Sequence, residues 1–132
     1  MPIREYFDEI RHLIANTPFI LSISLHLEER PPFAGLIKGK ITFVDNTELH
    51  FKEFLIAKKG IQVIKYSYHY ISANSLFFRY DNALDPAAKK LETFPHHKHM
   101  GDKLLNSKQP ALSEVLHEIA LKIKEKGLGL NS

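Results

Sequence analysis

The chain contains no cysteine. Disulfides therefore cannot staple it, and zinc or iron–sulfur sites built on thiolates are excluded. Long apolar runs are missing too: no window approaches the roughly 20 apolar residues that span a bilayer. The opening Met1-Pro2-Ile3-Arg4-Glu5 starts an amphipathic pattern rather than a secretory leader. These absences point to a cytoplasmic protein with no membrane partner. No internal repeat, low-complexity tract or Gly/Ser/Pro linker divides the sequence, so residues 1–132 read as one domain. At that length roughly two-thirds of the unfolded surface can be buried. A glycine-rich phosphate loop and a paired-carboxylate metal motif are also lacking, which argues against metal-dependent nucleases and nucleotidyl transferases.

What the chain does have is a modest excess of positive charge. Eighteen Lys and Arg stand against fifteen Asp and Glu, with eight His in addition. This balance permits an anionic partner, but the clustering of charge decides the matter.

The apolar pattern predicts an α+β fold. Ile3, Phe7, Ile10 and Ile14 recur at helical spacing from Pro2 to about Asn16, and Thr17-Pro18 ends that helix. Period-two alternation then marks a first strand over 19–27 and a second over 33–43, the latter with Lys38, Lys40 and Thr42 facing away from its apolar side. Asp45-Asn46 supplies a hairpin turn, because both residues tolerate positive φ. A third strand (47–57), a turn at Lys58-Lys59-Gly60, a fourth strand (61–71), a turn at Ala73-Asn74 and a fifth strand (76–82) follow. The expected sheet is thus a five-stranded antiparallel meander. Residues 83–111, interrupted by Pro86, Pro95 and Pro110, read as irregular. A last helix over 112–126 places Leu112, Val115, Leu116, Ile119 and Ile123 on one face, with Gly127 as its stop. The Ser22, Ser24 and His26 side of the first strand offers either a solvated edge or a homodimer contact.

Glu53 breaks this regularity, falling in the apolar column of Leu49, Phe51, Leu55 and Ala57. Local conflicts of this kind often mark functional sites. If Gly60 is left-handed, Ala57 pairs with Ile61 and Glu53 lies opposite Lys65. One face then carries Glu53, Lys65, Ser67, His69, Arg79 and Asp81, and the other carries Ile64, Tyr66, Tyr68, Tyr70, Phe78 and Tyr80. A cross-strand ion-pair ladder accounts for such an array as readily as a site does. The second feature is Phe94-Pro95-His96-His97-Lys98-His99. Imidazoles titrate near neutrality and can supply both an acid and a base. Two of them could also join Asp81 or Asp85 around a transition metal, although the spacing matches no zinc signature.

Four runs occur in order: His50-Phe51-Lys52-Glu53-Phe54, Lys65-Tyr66-Ser67-Tyr68-His69-Tyr70, Phe78-Arg79-Tyr80-Asp81-Asn82 and the His-rich segment at 94–99. With them the chain resembles the TumE-type toxins of prokaryotic toxin–antitoxin systems over nearly its full length. The resemblance implies a growth-inhibiting toxin acting on RNA and silenced by a cognate helix-turn-helix antitoxin. Members often carry a further His pair where this chain has Ala83-Leu84-Asp85-Pro86.

The expected activity is metal-independent cleavage of RNA with no cofactor. RNA brings its own nucleophile, so the enzyme needs a base, an acid and a phosphate-stabilising cation. The candidates are His97, His99 and His69 for proton transfer, with Arg79 and Lys65 for the phosphate. Tyr68 would stack a base or donate a proton, and Glu53 or Asp81 would orient a His or Arg. Lys98 and His96 would bind RNA. Two alternatives stay open, a noncatalytic RNA- or anion-binding module and a metal-dependent nuclease.

Overall fold

The computed structural model describes residues 2–73 and 75–130, leaving aside the side chains of 128–130; the Asn74 half of the expected turn lies outside the described residues. Helix α1 (Pro2–Ala15) leads into strands β1 (Ile20–Arg30), β2 (Ala34–Phe43), β3 (Glu48–Ile56), β4 (Gln62–Ser72), β5 (Ser75–Asp81), β6 (His97–Met100) and β7 (Lys103–Asn106), and helix α2 (Leu112–Leu130) closes the order. All seven strands form one antiparallel sheet in which each strand pairs with its neighbour in sequence. The fold is α+β as expected, with seven strands rather than five.

The two additional strands arise within the segment that reads as irregular. Each has four residues, and His97-Lys98-His99-Met100 has no apolar alternation that would announce a strand. Their turn is the two-residue Gly101-Asp102, with Gly101 at φ +61°. Gly-Asp between two short runs is a hairpin signal in its own right. Gly127 does not stop α2, which runs on to Leu130; an interior glycine costs a helix only about 1 kcal/mol against alanine.

Both helices pack on one face of the sheet. Ile3, Phe7, Ile10 and Ile14 of α1 and Leu112, Val115, Leu116, Ile119 and Ile123 of α2 share one buried cluster with Ile37, Leu49, Leu55, Tyr68 and Phe78. Each such side chain contributes roughly 1.5–3 kcal/mol by leaving water. Gly39 is required there, because a Cβ at that position would lie 2.2 Å from the ring of its cross-strand partner Phe51.

The turn at Gly60 behaves as expected, with φ +77°. Ile56 pairs with Gln62 and Leu55 with Val63, the register that such a turn dictates. One residue further on, the register shifts: Phe54 pairs with Lys65, leaving Ile64 as a bulge. Glu53 consequently lies opposite Tyr66, not Lys65. A one-residue slip exchanges the two faces of a strand beyond it. Glu53 stays in the apolar column of β3 under the helices, while Lys65, Ser67 and His69 of β4 face the other way.

Candidate active site on the open face of the sheet

Antiparallel partners point to the same side of a sheet, so the register assembles two cross-strand rows on the face without helices. One row runs Lys40, His50, His69, Arg79, His99 through β2 to β6. The adjacent row runs Lys38, Lys52, Ser67, Asp81, His97. Lys38, Lys40, His50, Lys52 and Lys65 are exposed or half-exposed, whereas His69, Arg79 and His99 are half-buried. A groove of about 930 Å³ opens beside them, with Arg30, Lys52, Lys65, Ser67, Arg79 and Asp81 in its walls.

The contacts at the centre of this face are specific. Arg79 Nε donates to Asp81 Oδ2 at 2.8 Å, and Arg79 Nη2 donates to His99 Nε2 at 3.0 Å. Because a guanidinium only donates, His99 Nε2 is the acceptor. The backbone N–H of Ala83 donates to Asp81 Oδ1 at 3.0 Å. His69 and His99 are both held below the ordinary imidazole value of 6.5, first by burial and then by the charge of Arg79. Near neutrality they are unprotonated rings on either side of a fixed cation.

His97 is almost wholly buried, at 1% exposure. Its Nδ1 lies 2.7 Å from the Pro95 carbonyl, which can only accept, so Nδ1 carries the hydrogen. Nε2 lies 3.0 Å from Asp81 Oδ1, yet the two are not aligned for a hydrogen bond. His97 thus backs Asp81 from beneath rather than facing the groove.

Four expected site residues are placed elsewhere. Glu53, 1% exposed, accepts from Tyr6 Oη at 2.6 Å and from Tyr68 Oη in the core beneath the helices. Burial raises the Glu53 carboxyl above its usual range, although both phenols oppose that shift. Tyr68, 1% exposed, stacks between Phe51 and Tyr66, so no base can reach its ring. Lys98 also points to the helix side, where its Nζ pairs with Glu118 at 2.9 Å and lies 4.6 Å from the Tyr80 ring centroid. His96 stacks on Tyr66 and meets its hydroxyl at 2.8 Å through Nδ1. The structure therefore brings together His69, Arg79, His99, Asp81, His97 and Lys65, and separates Glu53, Tyr68, Lys98 and His96 from them.

Sequence reasoning misses the basic approach to this centre. Lys38, Lys40, His50 and Lys52 are legible as outward positions of β2 and β3, but only the strand register lines them up with His69 and Arg79.

The family model described as Toxin TumE matches residues 10–126. This chain is a member of the TumE toxin family. No curated protein and no solved structure matches it. The matched span includes every strand of the sheet and thus the whole of the open-face cluster. Membership in a toxin family implies an antitoxin partner for this chain. No described helix is long and apolar enough to cross a membrane.

Proposed function

We propose that this TumE family toxin is a cytoplasmic endoribonuclease that cleaves RNA by metal-independent transesterification. The observation that carries this reading is the row His69, Arg79, His99: two imidazoles flank a guanidinium on an open, basic face. His69 takes the proton of an RNA 2′-hydroxyl, whose oxygen then attacks the adjacent phosphorus. Arg79 and Lys65 stabilise the charge that develops on the phosphate oxygens. His99, in the fraction of molecules whose ring is protonated, gives that proton to the departing 5′-oxygen, leaving a 2′,3′-cyclic phosphate. Asp81 orients Arg79, and His97 positions Asp81.

Lys38, Lys40, His50 and Lys52 guide the strand toward the centre through its phosphates. A helix-turn-helix antitoxin silences the toxin by laying an acidic surface over the same face, where complementary potentials speed association.

The test is incubation of the purified chain with defined RNA, with and without excess chelator, followed by analysis of the new ends. Cyclic phosphate ends produced in chelator, and lost in His69→Ala and His99→Ala, are the expected result. Salt-sensitive binding without cleavage would replace this reading with a noncatalytic one, and 5′-phosphate ends that vanish in chelator would replace it with metal-dependent hydrolysis.

A further inference from the structure

Asp81, His97 and His99 each direct one ligand-type atom to a common point, with all three atoms within 4.8 Å of one another. The arrangement at His97 is what makes this cluster unusual. Its Nδ1 hydrogen is committed to the Pro95 carbonyl, so in the neutral ring Nε2 presents a lone pair. That lone pair is buried and 3.0 Å from a carboxylate oxygen, and it has no hydrogen-bond partner among the described residues. Two electron-pair donors held together away from water repel each other unless a cation lies between them.

His99 Nε2, 4.0 Å from Asp81 Oδ2, also presents its lone pair, here toward Arg79. A buried imidazole whose Nδ1–H is fixed by a backbone carbonyl and whose Nε2 is free is how proteins hold metal-ligating histidines. Two imidazoles and one carboxylate suit a late first-row divalent ion of the zinc type, and leave a fourth position open.

We propose that Asp81, His97 and His99 bind a divalent transition metal ion, zinc being the biological candidate. Binding takes His99 Nε2 from Arg79, and the Arg79 side chain turns into the groove. Resting on the ribonuclease reading above, the ion is an inhibitor: it removes His99 from proton transfer and displaces the phosphate-stabilising cation.

The site can be tested apart from any activity by titrating the full-length chain with Co²⁺, following its ligand-field absorption, and with Zn²⁺ in competition. One ion per chain is expected. Affinity should fall about 100-fold in His97→Ala and in Asp81→Asn, at or beyond the usual cost of losing a supporting residue around a metal. His96→Ala, which alters the neighbouring ring on the other side of the sheet, should leave affinity unchanged. Arg79→Ala should tighten binding by about tenfold, because a neighbouring positive charge no longer competes. If the buried His97 variant does not fold, His99→Ala, at a half-buried position, carries the same expectation. Absence of saturable binding up to about 1 mM, or undiminished binding by folded His97→Ala or His99→Ala, overturns the site.

Zinc that binds and suppresses chelator-resistant RNA cleavage supports the whole proposal. Zinc that binds at these residues and is required for cleavage keeps the site but overturns the metal-independent mechanism. Cleavage without any metal binding keeps the mechanism and overturns the site.

Discussion

The two faces of the sheet each bury a carboxylate, Glu53 on β3 and Asp81 at the end of β5. Under the helices, Glu53 sits among aromatic rings and receives hydrogen bonds from the neutral phenols of Tyr6 and Tyr68. On the open face, Asp81, 6% exposed, is met by the guanidinium of Arg79, a backbone N–H and the ring of His97. The first carboxyl has its acidity reduced by burial, and its partners serve to satisfy it. The second is tied to a cation that itself touches an imidazole beside a groove. A buried polar residue is thus no guide to chemistry until its partners are known.

The contrast makes mutational demands. The largest effect is expected from Arg79→Ala or His99→Ala, each lowering the rate of RNA cleavage by roughly 10²–10⁴-fold with little loss of thermal stability. A drop in melting temperature that accounts for the lost activity would erase the distinction between the faces. Ile119→Ala, on the helix side at 0% exposure, should behave in the opposite way. It is expected to cost about 2–5 kcal/mol of stability in denaturant titrations and to leave the rate per folded molecule unchanged.

Tyr68→Phe sharpens the comparison most directly, since Tyr68 belongs to a run that reads as catalytic and yet lies in the core. Removing one donor from Glu53 should cost about 1–3 kcal/mol of stability with unaltered cleavage by the folded fraction; a loss of turnover instead would return Tyr68 to the mechanism. Smaller still, replacing Lys38 or Lys40 by Ala should weaken RNA binding modestly and lower the slope of log affinity against log salt by about one for each phosphate no longer neutralised.

The pH dependences also differ between the faces. Glu53 has a folded-state pKa above its unfolded one, so the native state holds the proton more tightly. Its contribution is fully present below the ordinary value of 4.5 and is lost as pH rises through the raised folded value. Glu53→Gln should flatten that decline when stability is measured across this window. The rate should follow His69 instead. With its pKa lowered, the ring remains available as a base below pH 6.5, and the ascending limb of the metal-free rate profile should lie there.

Much of this architecture is legible in the sequence, and the failures have local causes. Both helices follow from 3.6-residue periodicity, and the first five strands from alternation and turn residues, because each buries one apolar face and turns use residues such as Gly60 and Asn46 at positive φ. Glu53 stands out in the sequence and falls in the correct apolar column of β3, but its cross-strand partner is misread as Lys65, which groups it with residues of the opposite face. The bulge at Ile64 carries no marker residue, since glycine, the usual sign of a bulge, is absent there. The short strands β6 and β7 are hidden by their polar composition, so the pairing that carries His99 to Arg79 is out of reach even though both residues stand out singly.

The order of the strands has a consequence for how such a toxin comes into being. Because spatial order repeats chain order, each hairpin can join a sheet that already exists, without waiting for distant partners. A ribosome delivers the N-terminal strands first, at about 5–20 residues per second. His69 and Arg79 emerge before His97 and His99, so the row proposed for catalysis is completed only once β6 has been made. Protein cut short before β6 would present much of the basic surface without the complete row proposed for catalysis.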